Sequence, residues 1–260
     1  MKLHEVAAGP TQHAPIKQIL DNLKIKNYTI QPDGTVRSAT NPEGMVVDVN
    51  GNVDLRNFNV TIIPVKFGKV SGSFFCSRTK ITSLDGAPTS VGGSFDCSHT
   101  KITSLAGAPT SVGGDFYCSG TEITSLDGAP TAIGGGFTCS HTNITSLDGA
   151  PTSVGGGFFC SYTKITSLIG APTAVGGSFN CSGTNITSLD GAPKAIGGNF
   201  YCSHTKIRNV LRFLQIRGVN HIVYDSGPID EILNKYAGTG DVISAQDELI
   251  DAGFIEQAKL

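Results

Sequence analysis

The sequence predicts a repeat solenoid, mainly β: a stack of parallel strands with an α/β cap at its N-terminal end and a helical cap at its C-terminal end. Three observations lead there. A 21-residue unit recurs, as in GGSFDCSHTKITSLAGAPTSV from Gly92 to Val112, followed at once by GGDFYCSGTEITSLDGAPTAI. All seven cysteines (Cys76, Cys97, Cys118, Cys139, Cys160, Cys181 and Cys202) fall at that single spacing. The 33 glycines, 12 prolines and absence of tryptophan in 260 residues suit an array in which every unit needs the same turns. The expected divisions are a cap over 1–52, about eight coils over 53–210 and a second cap over 211–260.

Within a unit the large apolar residues keep fixed places, as at Phe95, Cys97, Ile102, Leu105 and Val112. The spacing of two between Phe and Cys is strand alternation, so both side chains point one way and the residue between them points the other. This short strand is the only one the unit clearly encodes. A corner LDGAP or LAGAP follows, where Gly frees the backbone and Pro fixes it, and the Gly-Gly pair turns the chain back. Strands separated by one circuit lie parallel about 4.8 Å apart, which makes seven copies a rod of about 30 Å. One coil alone cannot bury its Phe, Ile and Leu; stacked neighbours can, at roughly 1.5–3 kcal/mol for each fully buried side chain.

An open stack exposes an apolar cross-section at both ends, so caps are expected. The first offers a helix from Pro15 to Leu23, strand-like YTIQ, a QPDGT turn and MVVDV. NVDLRNFNVTIIPVKFGKVSG then fits the repeat frame as a degraded first coil, with Val53 in the Phe place and Leu55 in the Cys place. After Lys206 the Gly-Pro grammar stops and KIRNVLRFLQIRGVNHIVYDS supplies one irregular coil. Two amphipathic helices follow, carried by Ile229, Ile232, Leu233 and Tyr236, then by Val242, Ile243, Leu249, Ile250, Phe254 and Ile255.

The layout F-x-C-S-x-T-x-I-T-S-L resembles the leucine-rich repeat L-x-L-x-x-N-x-L-x-x-L, with Phe and Cys for the first two leucines and Thr for the Asn. More narrowly, VGGxFxCSxTKITSLxGAP is similar to the short leucine-rich-repeat proteins of tailed, T4-like bacteriophages. The resemblance covers about Val53 to Val210. It implies that Thr100, Thr121 and their equivalents cap the strand and bond backbone of the adjacent coil, that a helical tail closes the chain, and that the protein works in a phage context. The expected location is the host cytoplasm or the virion.

Several rows invite chemistry. Neighbouring thiols could chelate a metal or oxidise, but their number is odd, they sit at inward positions and they lack C-x-x-C pairing; a small buried hydrophobe fits them better. Cofactors and metals are accordingly expected to be none. His99, His141 and His204 share one place two and three coils apart, roughly 10 and 14 Å, too far for one ion. The aspartates of LDGAP (Asp85, Asp127, Asp148, Asp190) lack the calcium β-roll spacing and read as turn chemistry.

The outward row between Phe and Cys is different: Phe75, Asp96, Tyr117, Thr138, Phe159, Asn180 and Tyr201 vary on an otherwise nearly frozen frame. Aromatics on a rigid face anchor protein interfaces, although they could also merely shield the sheet. A second variable row runs Arg78, His99, Gly120, His141, Tyr162, Gly183, His204, and beside it lies a mildly basic one containing Lys80, Lys101, Glu122, Lys164 and Lys206. These rows make a partner protein the leading expectation, either a phage structural protein or a host factor, with a homo-oligomer also open. Glu122 and the corner aspartates argue against nucleic acid. No catalytic constellation is evident, and the expected class is a non-enzymatic binding or assembly module. The competing readings are ice binding through the Ser98-x-Thr100 hydroxyl rows and an enzyme around His221, Tyr224 and Asp225.

The composition, 39% hydrophobic with a formal net charge of −2, gives no strong pull towards nucleic acid or an anionic surface. No apolar run nears the roughly 20 residues needed to cross a bilayer, and MKLHEVAAGPTQHAP lacks a signal-peptide core. The NIT sequons at Asn143 and Asn185 are repeat text.

Overall fold

The computed structural model describes residues 16–32, 44–225 and 227–259. Pro15 and the turn residues 33–35 lie outside them. The chain is a β-solenoid of about eight turns, with parallel strands stacked about 21 residues apart and helices at the C-terminal end.

Each Phe-x-Cys segment enters a nine-stranded parallel sheet that runs from Val53–Asp54 to Ile222–Val223. Register is strict: Phe95 lies against Phe116, which lies against Phe137. The degraded coil joins in frame, Val53 against Phe74. The last coil joins one residue late, Phe200 against Ile222.

Every unit also contains a second strand that pattern reading misses. Ser90–Val91, Ser111–Val112 and Ala132–Ile133 extend one sheet, and Ser153–Val154, Ala174–Val175 and Ala195–Ile196 form another. The bond joining the two halves, from the Gly155 N–H to the Ile133 carbonyl, stretches to 3.4 Å, against 2.9 Å for the Gly134 N–H to the Val112 carbonyl. A third coil-to-coil row has one bond per turn, as from the Lys101 N–H to the Ile81 carbonyl.

The Gly-Gly pairs therefore serve packing more than turning. Gly113, Gly134, Gly155 and Gly176 lie outside the left-handed region, yet a Cβ on any of them would collide with the carbonyl of the glycine one coil earlier. The corner glycine is the conformational one: Gly149 has φ +85°, where a Cβ is costly.

The core is columnar. From Phe74 to Phe179 five successive ring pairs stack 5.3–5.6 Å apart with planes within 11°. A perpendicular ring closes each end, Phe67 on Phe74 and Phe213 on Phe200, both at 74°. Columns of Cys, Ile and Leu run beside the phenyls, fully or almost fully buried.

At the N-terminal end helix α1 (Ile16–Asn22) buries Ile19 and Leu20. Strand β1 (Tyr28–Pro32) then pairs antiparallel with β2 (Met45–Val49), and β2 pairs in parallel with Phe67–Val70. The C-terminal edge is closed by side chains. In each coil the Phe and Cys N–H groups donate to the next coil, as from Phe200 to the His221 carbonyl and from Cys202 to the Val223 carbonyl. The corresponding donors of the last strand, Ile222 and Tyr224, find no further coil. Helix α2 (Pro228–Tyr236) supplies substitutes: the Asn234 amide accepts from the Ile222 N–H at 2.7 Å and donates to its carbonyl at 2.9 Å. The Asp230 carboxylate accepts from the N–H groups of Tyr224 and Asp225 at 3.0 Å. Together these two side chains occupy the place of a next strand.

Helix α3 (Val242–Asp251) buries Ala245 and Leu249 only. Of the apolar residues at helical spacing, Ile243, Ile250 and Ile255 are not buried: they are 71%, 45% and 62% exposed. At 100° per residue Ile243 and Ile250 lie on the side away from Leu249, which the packed end of the solenoid already occupies.

Candidate interaction face

The varying side chains sit on two adjoining strips. The first is the outer face of the nine-stranded sheet. Three of its four aromatics lean on the residue two places earlier. Tyr117 donates to the Asp115 carboxylate at 2.8 Å, Asn199 donates to the Tyr201 hydroxyl at 2.8 Å, and the Phe159 ring covers Gly157. Burial and then the Asp115 bond push the Tyr117 phenol up to about 12. Phe75 carries the Arg56 guanidinium 4.4 Å from its ring centre, and Arg56 in turn holds Asp54 through two bonds at 2.9 and 2.7 Å. Asp96 and Asn180 accept from the backbone N–H two residues on. Thr138 sits half-buried between them.

The second strip begins where the chain leaves this sheet. Alternation continues, so Arg78, Lys80 and Thr82 are exposed while Thr79 and Ile81 are buried, and the following coils repeat the pattern. The first column is left-handed throughout: φ is +59° at Arg78, +56° at His99, +58° at His141, +55° at Tyr162 and +57° at His204, with Gly120 at +66° and Gly183 at +68°. Their rings lie along the stack. His99 lies across Gly120 and Tyr162 across Gly183, in the space a Cβ there would need. His141 stacks on Tyr162 with centroids 4.8 Å apart and planes at 12°. Tyr162 is 55% exposed. Lys101 pairs with Glu122 at 2.9 Å.

The left-handed turn also redirects the threonines. The resemblance implies bonds to an adjacent coil; instead Thr100 and Thr121 donate to the carbonyls of Cys97 and Cys118 in their own coil, both at 2.7 Å. Reversal at His99 and Gly120 brings residue i+3 back over that carbonyl. Thr100 is consequently buried and no outward Ser98-x-Thr100 hydroxyl row forms. The exposed threonine rows are others, such as Thr103 and Thr110.

All seven thiols are free and buried, and burial raises each above its ordinary range, so the reactive thiolate is disfavoured. Among the described residues no group of three His, Cys, Asp or Glu could hold a metal ion. The C-terminal trio divides: the Tyr224 hydroxyl donates to the Ile207 carbonyl at 2.5 Å inside the core, whereas His221 and Asp225 are exposed. No helix among the described residues is long and apolar enough to cross a membrane.

Sequence reasoning did not single out Arg208, which takes the Thr82 place in the last regular coil, or the solvent side of α3; the register of Lys206 with Lys80 places Arg208 once the frame is extended. No protein-family model, curated protein or solved structure matches the chain.

Proposed function

We propose that this protein is a non-enzymatic protein-binding or assembly module that presents the side of a rigid solenoid to a partner protein. One observation carries the reading. At a backbone position that favours glycine, only Gly120 and Gly183 are glycine, and five other coils hold Arg78, His99, His141, Tyr162 and His204 there. A left-handed non-glycine residue costs roughly 1–2 kcal/mol. Side chains kept outward at that cost in a frame this regular are kept for contact. The aromatic row Phe75, Tyr117, Phe159 and Tyr201 adjoins them and adds flat, rigid area. The resemblance of the repeat text supports a bacteriophage setting, as a tail or baseplate component or as a binder of a host factor in the host cytoplasm; mass spectrometry of purified particles separates these two.

Replacing all five left-handed residues by glycine is expected to hold or raise the thermal midpoint while abolishing capture of the partner. Undiminished capture by this variant refutes the reading.

A further inference from the structure

The second strip and the C-terminal cap are complementary in charge. In the three exposed columns that start at Arg78, Lys80 and Thr82, the cations are Arg78, Lys80, Lys101, Lys164, Lys206 and Arg208, against Glu122 alone. Residues 225–259 carry eight acids against Lys235 and Lys259. The same segment holds three of the exposed large hydrophobic side chains, Ile243, Ile250 and Ile255. On α3, residues Ile243, Asp247, Ile250 and Asp251 are all exposed and form one stripe, since positions i, i+4, i+7 and i+8 share a helix face. The stripe alternates apolar and acidic groups; the strip alternates basic groups with exposed rings, Tyr162 beside Lys164 foremost.

We infer that the α3 stripe of one copy docks on the Tyr162–Lys206 part of the basic strip of a second copy. Within one chain Leu249 and Ala245 hold α3 on the end of the stack, and its Glu248 is bonded to Lys235 and Tyr236 of α2. The stripe is therefore left exposed. From Ile243 to Asp251 the stripe rises about 12 Å, and from Tyr162 and Lys164 to Lys206 the strip spans two coil steps of about 4.8 Å, about 10 Å in all, so the two are of similar length. Ile243 covers the Tyr162 ring, while Asp247 and Asp251 reach Lys164 and Lys206. The contact joins a cap to a side, so unless two copies make it reciprocally it repeats from copy to copy as a string or ring. This rests on the reading of the strip as an interaction face and names a copy of the same chain as its occupant.

Sedimentation of the purified full chain tests it. At low salt and tens of micromolar, the average mass should rise above 27.0 kDa with concentration and fall back at 0.5 M NaCl, where the Debye length is only a few ångströms. The exposed-site variants Lys164→Glu/Lys206→Glu and Asp247→Lys/Asp251→Lys should each weaken association on the order of tenfold, with unchanged circular dichroism. Mixing them should restore it, because the reversed strip meets the reversed cap. A single 27.0-kDa species at all concentrations, or a mixture no better than its components, overturns the proposal. Either result leaves the partner-binding reading standing, which falls only if the glycine variant still captures its partner.

Discussion

Phe137→Ala is expected to cost about 3–5 kcal/mol and to split cooperative unfolding into two steps. Phe137 is fully buried in mid-column, with the Phe116 and Phe158 rings 5.4 and 5.3 Å away on either side. Removing it deletes its own burial and both ring contacts, and the strict 21-residue spacing leaves the coils no easy way to close the gap. Because a solenoid is coupled only through neighbours, the defect separates the coils before it from those after it. Urea unfolding followed by far-ultraviolet dichroism should show a lower midpoint and a smaller apparent m-value. Thr138→Ala, one residue on and pointing outward, should stay within about 0.5 kcal/mol. A loss below 1 kcal/mol at Phe137 would mean that the rings do not form one continuous column.

Gly155→Ala should be comparably severe, although it adds one methyl at an exposed residue. The new Cβ would lie closer than 3.0 Å to the carbonyl oxygen of Gly134, which is backbone and cannot swing aside. Relief requires the coils to part, at the place where the ladder is already weakest, its Gly155 to Ile133 bond being 3.4 Å long. Overpacking commonly costs 1–3 kcal/mol and more where the obstacle is rigid, so about 3 kcal/mol is expected, read as a fall of several degrees in the thermal midpoint. An unchanged midpoint would show that coil spacing does not fix the glycine.

The period, the inward Phe and Cys, the irregular final coil and the two closing helices were legible because each follows from alternation or helical spacing within a few residues. What stayed hidden depends on contacts between coils. Ser111–Val112 before Gly-Gly reads as the approach to a turn, and only pairing with the next coil makes it a strand. The reason for Gly113 lies in a carbonyl 21 residues away. The left-handed column did leave a trace in the text: Gly120 and Gly183 stand in a column otherwise filled by Arg, His and Tyr, and such a mixture marks a backbone that favours glycine. The outward position of Ile243 and Ile250 was not legible because apolar spacing does not tell which apolar residues of a helix face the core.

The seven thiols give the most direct test of the central claim, that each 21-residue unit makes one circuit with its phenyl and sulfur groups inside. All seven are buried, and burial holds each in the unreactive protonated form. Titration of the native protein with a soluble aromatic disulfide at neutral pH should label essentially none of them, and addition of denaturant should release all seven together. Rapid labelling of several thiols in the folded chain would place them outside and contradict the account.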